Sequence, residues 1–174
     1  MKRLLVVVDM QKDFVDGALG SVEAVAIVDN VVRKIQRFDG DVIVTYDTHG
    51  EDYLRTQEGE YLPVPHCIKG TEGWNLERKV QAALEGRAYK SIEKPTFGSL
   101  ALPEYIRANY NPAELEIELV GLCTDICVVS NALLLKASFL EAKVSVDASC
   151  CAGVTVESHN NALSAMKMCQ INVI

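Results

Sequence analysis

A run of five uninterrupted apolar residues, residues 4–8 (LLVVV), lies near the start of the sequence and stops at Asp9. Strict alternation of apolar and polar residues marks a strand with one face in water. A continuous apolar run is instead typical of a central parallel strand that is buried on both faces. Such a strand needs helices packed on either side of its sheet. The run therefore predicts an α/β fold.

Further short strands and longer amphipathic helices alternate along the chain. The sequence predicts the second to sixth strands at residues 41–46, 88–92, 116–120, 143–146 and 171–173. It predicts helices at residues 22–38, 74–84, 102–109, 124–139 and 155–168. Strands joined by helical crossovers form right-handed βαβ units. We therefore predict one α/β domain over residues 1–174, a doubly wound parallel sheet with Rossmann-type layering and helices on both faces.

Composition argues against several classes of partner. The chain is 49% hydrophobic and 24% charged, an ordinary globular balance, and its formal net charge of -7 repels nucleic acid and anionic lipid. Residues 4–8 are too few for a signal peptide, and no apolar run approaches the roughly 20 residues that span a bilayer. We expect a cytoplasmic protein with a small-molecule partner. Its six cysteines are expected to be reduced, and they are Cys67, Cys123, Cys127, Cys150, Cys151 and Cys169.

Ionisable and nucleophilic residues follow four of the predicted strands. Asp9 ends the first strand, Asp47 and His49 follow the second, Lys94 follows the third, and residues 123–127 follow the fourth. In open α/β sheets the ligand binds beyond the carboxyl ends of the strands. We therefore expect these side chains to meet at one edge of the sheet.

Cys127 is the candidate nucleophile. Thr124 or Asp125 is a suitable N-cap for the helix that follows, which places Cys127 in the first helical turn. Unpaired N–H groups and the helix dipole favour a thiolate there, and the same N–H groups can stabilise an oxyanion. The alternative is that Cys127 is a small apolar residue facing the sheet. Asp9, partly desolvated, can accept the thiol proton, and Lys94 can hold its charge; an ordinary ion pair is the alternative for those two.

Three segments give the sequence a specific resemblance. They are residues 7–14 (VVDMQKDF), 93–97 (EKPTF) and 121–127 (GLCTDIC). In this order they resemble the three motifs of the nicotinamidase and isochorismatase-like hydrolase family, and the resemblance covers essentially the whole chain. It implies an isochorismatase-like fold.

The resemblance also implies a role for each matched residue. Cys127 would attack the substrate carbonyl, Asp9 would accept its proton, and Lys94 would orient the pair. The backbone N–H groups of Cys123 and Cys127 would hold the oxyanion, and the peptide bond between Leu122 and Cys123 would be cis. Isochorismatase itself lacks the nucleophilic cysteine, so Cys127 argues against that activity. The family commonly forms dimers or larger assemblies, so we expect a homo-oligomer.

Acids and histidines of the long loop after the second strand are candidate metal ligands. Asp47 and His49 are two residues apart, so their side chains can point the same way, and His66 follows later in the loop. Carboxylate and imidazole ligands suit Zn²⁺, with Mn²⁺ or Fe²⁺ as alternatives, although surface loops also contain such residues by coincidence. The resemblance implies a divalent metal held by Asp47, His49, His66 and a fourth ligand, Glu58, with Glu60 as its competitor. In nicotinamidases this metal holds the pyridine nitrogen of the substrate.

The substrate pocket is the least specific part of the resemblance. Phe14 matches the family's wall residue, Phe97 or Tyr61 could cover the other face of a ring, and Leu122 lies beside the oxyanion turn. Each of these could equally be core packing. Nicotinamidases commonly place a Trp shortly before the metal histidine, and this chain has none there.

The leading functional prediction is a cysteine amidohydrolase that releases ammonia from a small amide through a thioester, with nicotinamide to nicotinate as the first case. A related amidase or carbamoyl hydrolase is the second, for which the missing Trp leaves room. The third is a non-catalytic metal- or thiol-binding protein on the same scaffold. The presence of Asp9, Lys94 and Cys127 together speaks against the third.

Overall fold

The computed structural model describes residues 1–174. Its strands are β1 (Lys2–Val8), β2 (Asp41–Asp47), β3 (Lys90–Lys94), β4 (Leu115–Leu122), β5 (Lys143–Ala152) and β6 (Asn172–Val173). Its helices are α1 (Lys12–Val15), α2 (Val22–Arg37), α3 (Gln57–Tyr61), α4 (Arg78–Leu84), α5 (Ala101–Asn109), α6 (Val129–Ser138) and α7 (Val156–Met168). All pairings are parallel, in the order β3-β2-β1-β4-β5-β6. The predicted doubly wound parallel sheet is confirmed.

The central strand β1 is buried on both faces, as its composition predicts. Leu4, Val6 and Val8 belong to one hydrophobic cluster of 22 buried residues, whereas Leu5 and Val7 belong to a second cluster of 22 on the other side of the sheet. Successive side chains of a strand point to opposite faces, so a fully apolar strand supplies both cores at once. Helices α5, α6 and α7 contribute to the first core, and α2 and α4 to the second.

The strand order reverses between β1 and β4, and this reversal positions the site. After β1 the chain moves outward to β2 and β3, then returns to place β4 on the other side of β1, with Val8 opposite Gly121. Crevices at such a switch point are where ligands bind in open α/β sheets. Gly121 has φ 119°, and a Cβ there would lie 2.1 Å from the carbonyl oxygen of Val8, so only glycine lets the two strand ends approach this closely.

Several element boundaries differ from the sequence prediction. Strand β3 lies two residues later than predicted, at Lys90–Lys94, so Lys94 is its last residue rather than part of the loop. The predicted helix 124–139 is a π-helical turn over Thr124–Val128 followed by α6. The predicted helix 74–84 is reduced to a 3₁₀ turn at Glu72–Trp74 and to α4. None of the helices is both long enough and apolar enough to cross a membrane.

Candidate active site

Asp9, Lys94 and Cys127 meet at the carboxyl ends of β1, β3 and β4. Asp9 directly follows β1 in the left-handed region, with φ 47°, and its backbone N–H donates to the carbonyl oxygen of Thr45 on β2. This turn folds the fully buried Asp9 carboxylate back over the strand ends instead of continuing along β1. Lys94 is also fully buried, and Cys127 is 5% exposed.

The ammonium of Lys94 is the hub of this cluster. Its Nζ lies 2.6 Å from Asp9 Oδ2 and 3.5 Å from Cys127 Sγ, and it donates to the carbonyl oxygen of Thr96 at 3.0 Å. It also lies 3.3 Å from Asp47 Oδ1. A buried ammonium is stable only when paired and hydrogen-bonded, and these four contacts supply that environment.

The two oxygens of Asp9 have different surroundings. Oδ1 accepts a hydrogen bond of 2.6 Å from the hydroxyl of Thr45, which is itself fully buried. Oδ2 accepts no hydrogen bond of normal geometry, although Lys94 Nζ lies close enough for an ion pair. Oδ2 therefore keeps a lone pair free to receive a proton.

Burial and charge shift the pKa values in this cluster. Burial raises the pKa of Asp9 above its ordinary value of 3.8, although the charge of Lys94 opposes the shift. Burial also raises the pKa of the Cys127 thiol well above 9.0; the Asp9 carboxylate adds to this rise, and Lys94 opposes it. The expectation that the helix start favours a resting thiolate is therefore wrong, because desolvation outweighs the ammonium. A neutral thiol beside a carboxylate of raised basicity is the arrangement for proton transfer during attack.

The turn that carries Cys127 is not capped as the sequence predicts. The N-cap is Cys123, and there is no side-chain capping hydrogen bond. Asp125 instead accepts from the backbone N–H of Val154, which ties the turn to the end of β5. The Leu122–Cys123 peptide bond is cis, as the resemblance implies. The backbone N–H of Cys123 donates to no other group of the chain.

The hydroxyl of Thr124 makes a hydrogen bond of 2.7 Å with Nδ1 of His159 on α7. Thr124 is fully buried and His159 is half-buried. The sequence gives His159 no role beyond a solvated position on the last helix, whereas in the structure α7 packs against the turn and brings the imidazole onto Thr124.

A second compact group lies beside the triad of Asp9, Lys94 and Cys127. It consists of Asp47, His49, Glu58 and His66. One ligand atom from each lies within 4.8 Å of all the others. Nε2 of His49 is 2.9 Å from Asp47 Oδ2 and 3.7 Å from Glu58 Oε1, and Nε2 of His66 is 3.5 Å and 3.7 Å from the same two oxygens. Glu60 is exposed and lies outside this group.

The orientation of His66 suits metal coordination. Its Nδ1 lies 2.8 Å from the carbonyl oxygen of Val64, which can only accept, so Nδ1 carries a proton. Nε2 faces the group, where a metal ion would take the place of a proton on that nitrogen. The ring of the buried Tyr53 lies edge-on to both imidazoles, with centroids 4.8 Å from His49 and 5.0 Å from His66. Two imidazole nitrogens and two carboxylate oxygens therefore fit a divalent transition-metal ion.

Asp47 links the two halves of the site. Its Oδ2 faces the two histidines, whereas its Oδ1 faces Lys94. Burial alone would raise the pKa of Asp47, but hydrogen bonds from His49 and His66, with the charge of Lys94, hold that pKa well below its ordinary value. Asp47 is therefore ionised and attracts cations from both sides.

The four predicted substrate residues occupy different environments. Phe14 is buried, with its ring centroid 5.5 Å from that of His66. Phe97 is 44% exposed on the loop after β3, and Leu122 is buried in the core shared with α2. Tyr61 is 85% exposed at the end of α3, so its side chain faces solvent in this structure.

Sequence reasoning missed buried residues that contact the site residues and fix their positions. Gln11 donates to the carbonyl oxygens of Asp47 and Trp74 and accepts from the N–H of Asp47. Thr45 donates to the carboxylate of Asp9, and the ring of Tyr53 packs edge-on against both metal-group histidines. Their partners lie 36 or more residues away for Gln11 and Thr45, which leaves no local pattern to detect.

Comparison with known proteins places these observations in context. The profile of the isochorismatase domain matches residues 3–174. The chain is 26% identical to a nicotinamidase/pyrazinamidase of Mycobacterium tuberculosis, over 99% of this chain and 98% of the relative. It is 29% identical to an uncharacterized isochorismatase family protein of Bacillus subtilis, over 76% of this chain and 78% of the relative. A crystal structure of nicotinamidase/pyrazinamidase from Bacillus subtilis superimposes with a TM-score of 0.87 at 28% identity, covering 99% of both chains.

Proposed function

This chain belongs to the isochorismatase domain family, and on that premise we propose that it is a cysteine amidohydrolase that converts nicotinamide to nicotinate and ammonia. The observation that carries the proposal is the convergence of Asp9, Lys94 and Cys127 beside the group of Asp47, His49, Glu58 and His66. The sequence and structural likeness to nicotinamidase/pyrazinamidases supports this substrate class.

In the proposed acylation step, Cys127 Sγ attacks the amide carbonyl carbon and its proton passes to Asp9 Oδ2. The raised pKa of Asp9 makes its carboxylate a stronger base than an exposed one. The backbone N–H groups of Cys123 and Cys127 stabilise the oxyanion, and Lys94 keeps the carboxylate and the sulfur in place. Asp9 then protonates the amide nitrogen, the C–N bond breaks, and ammonia leaves a thioester on Cys127.

In the proposed deacylation step, a water molecule attacks the thioester carbonyl. Asp9 accepts a proton from that water and returns it to Cys127 Sγ as the C–S bond breaks, so the thiol and the Asp9 carboxylate are both restored when the carboxylic acid leaves. The Asp9 carboxyl group therefore serves alternately as base and as acid. Its burial raises its pKa, which makes the protonated form accessible.

Asp47, His49, Glu58 and His66 would hold a divalent ion, with Zn²⁺ as the first candidate and Mn²⁺ or Fe²⁺ as alternatives. When bound, such an ion supplies Lewis-acid coordination to the ring nitrogen of an aromatic amide. Phe14 lies against His66 and is the proposed wall of the ring site.

Ammonia release tests the proposed substrate. We expect nicotinamide to be hydrolysed with kcat/KM of about 10⁴ M⁻¹s⁻¹ or more. Benzamide is the matched control, since it carries the same amide but lacks the ring nitrogen, and we expect it to be at least about tenfold slower. Pyrazinamide and small aliphatic or carbamoyl amides complete the panel. Faster turnover of a carbamoyl or aliphatic amide than of nicotinamide would assign the protein to the related amidases instead.

Metal content tests the proposed ligands. We expect wild-type protein equilibrated with Zn²⁺ and desalted to hold about one ion per chain by mass spectrometry. His66→Ala should lose at least about tenfold in affinity, because one of the two imidazole ligands is removed. His159→Ala is the matched histidine control and should retain the ion, since His159 contacts Thr124 instead. Equal metal content in both variants, or full activity of a metal-free preparation, would contradict the assignment.

A further inference from the structure

Asn131 on α6 is fully buried and makes three hydrogen bonds with its side chain. Its Oδ1 accepts from the backbone N–H of Ser99 at 2.9 Å. Its Nδ2 donates to the carbonyl oxygen of Cys127 at 2.8 Å and to that of Phe97 at 3.1 Å. Both protons of the amide nitrogen are used, so the amide orientation is fixed by its partners.

These bonds connect the segment that carries Cys127 with the loop that directly follows Lys94. Cys127 lies in the turn after β4, whereas Phe97 and Ser99 lie in the loop after β3. The same loop contains Thr96, whose carbonyl oxygen accepts from Lys94 Nζ at 3.0 Å. The Asn131 side chain is therefore bonded to the backbone that carries the Cys127 sulfur and to the loop that holds the Lys94 ammonium, two groups that lie 3.5 Å apart.

The contact requires both donor and acceptor groups at one position. Two carbonyl oxygens must receive protons while one backbone N–H must find an acceptor, and a carboxamide provides this combination. An apolar side chain at position 131 would leave three main-chain groups without their partner, and each unsatisfied buried group is costly.

We propose that Asn131 is a positioning residue for the hydrolysis, which holds the Cys127 turn at a fixed separation from the loop after β3, whose Thr96 carbonyl oxygen accepts from Lys94. The proposal rests on the proposed function in one respect, namely that Cys127 and Lys94 are the reacting pair. Asn131 touches neither side chain, so it acts through the backbone of both segments.

Kinetics of two variants test this role. Asn131→Leu removes all three hydrogen bonds at similar volume, and Asn131→Asp keeps the acceptor for Ser99 but loses both donors. We expect kcat for nicotinamide to fall by about 100-fold in each, with KM changed by less than about threefold, because a small misplacement of reacting groups affects the transition state. Ser130→Ala is the matched control. It removes a neighbouring hydrogen bond to the carbonyl oxygen of Ile126 that does not reach the loop, so we expect wild-type kcat.

A substrate-free readout separates this proposal from the proposed function. Iodoacetamide alkylation of Cys127, measured by peptide mass spectrometry against the exposed Cys169 as internal reference, reports how well Lys94 supports the thiolate. We expect the ratio of the two rates to fall by about tenfold in both variants, at temperatures where circular dichroism shows them folded. If nicotinamide is not the substrate, this ratio of alkylation rates still tests whether Asn131 positions Cys127 relative to Lys94. An unchanged or increased ratio, or a lower unfolding temperature with wild-type kcat, would show a purely structural role and overturn the proposal.

Discussion

Cys127→Ala is expected to lower kcat for nicotinamide by at least about 10⁴-fold while the protein stays folded and retains its metal. The thiol is the only proposed atom that bonds to the substrate, so no neighbouring group can replace it. Cys127 Sγ is not among the ligand atoms of the group formed by Asp47, His49, Glu58 and His66. The loss should therefore appear in ammonia release and not in metal content.

The remaining cysteines provide the control for this substitution. Cys169→Ala changes an exposed thiol and should leave kcat at the wild-type value. A second measurement follows the thioester directly: brief acid quenching during turnover should trap substrate mass on the peptide that contains Cys127, and on no other. Residual turnover of Cys127→Ala above about 1% of wild type, with no trapped mass, would remove Cys127 from the mechanism.

The fold class could be predicted from the sequence because its clearest pattern, an apolar run, is also the segment with the most to gain from burial. The apolar run of residues 4–8 can be satisfied only in the centre of a sheet covered on both faces, and β1 occupies that position. Polar residues placed just after strands then have to meet at the carboxyl edge, which brings Asp9, Lys94 and Cys127 together.

Hydrophobic periodicity could not predict the short helices in the long loop after β2. Helix α3 has five residues, too few for a helical pattern, yet it carries Glu58 into the metal group. It depends on the side chain of Thr56, which accepts from the N–H of Gly59, and on the absence of a Cβ at Gly59, which would lie 2.1 Å from the carbonyl oxygen of Tyr53. Such contacts are properties of the folded chain rather than of a local pattern.

The pKa of Cys127 and the role of Asn131 could not be predicted from the sequence either. From the sequence, Cys127 was placed near a helix start, where a lowered pKa is expected; the fold buries it beside Asp9, and its pKa rises. Asn131 lies on the most apolar helix, and its sequence neighbours give no reason to single it out. Its importance appears only when the loop after β3 is seen against α6.

Lys94→Met is expected to abolish activity and to destabilise the fold, in contrast to the Cys127 substitution. The Lys94 ammonium lies 2.6 Å from Asp9 and 3.3 Å from Asp47, with its side chain fully buried. Removing one partner of a buried ion pair forces Asp9 either to stay buried as an unpaired charge or to take up a proton, and breaking such a pair costs about 3–5 kcal/mol. Urea unfolding of the variant at neutral pH should show a loss of this size in the free energy of unfolding. Lys69→Met is the matched control, because Lys69 pairs with Glu93 in solvent at 2.7 Å and should lose little.

The pH dependence of this loss identifies its cause. Burial already raises the pKa of Asp9 above 3.8, and Lys94 opposes that shift, so removing the ammonium raises this pKa further. Above pH 3.8 the unfolded chain has released the Asp9 proton while the folded variant keeps it, so the free energy of unfolding falls as pH rises toward the folded-state pKa. In the wild type the raised pKa of Asp9 has the same effect over a narrower pH range, because Lys94 opposes the shift and stays charged, its own pKa being raised above 10.5 by its partners despite burial. The difference in unfolding free energy between wild type and variant should therefore be larger at about pH 8 than at about pH 5. A difference that is independent of pH would indicate lost packing of the lysine stem instead of an unpaired Asp9 carboxylate.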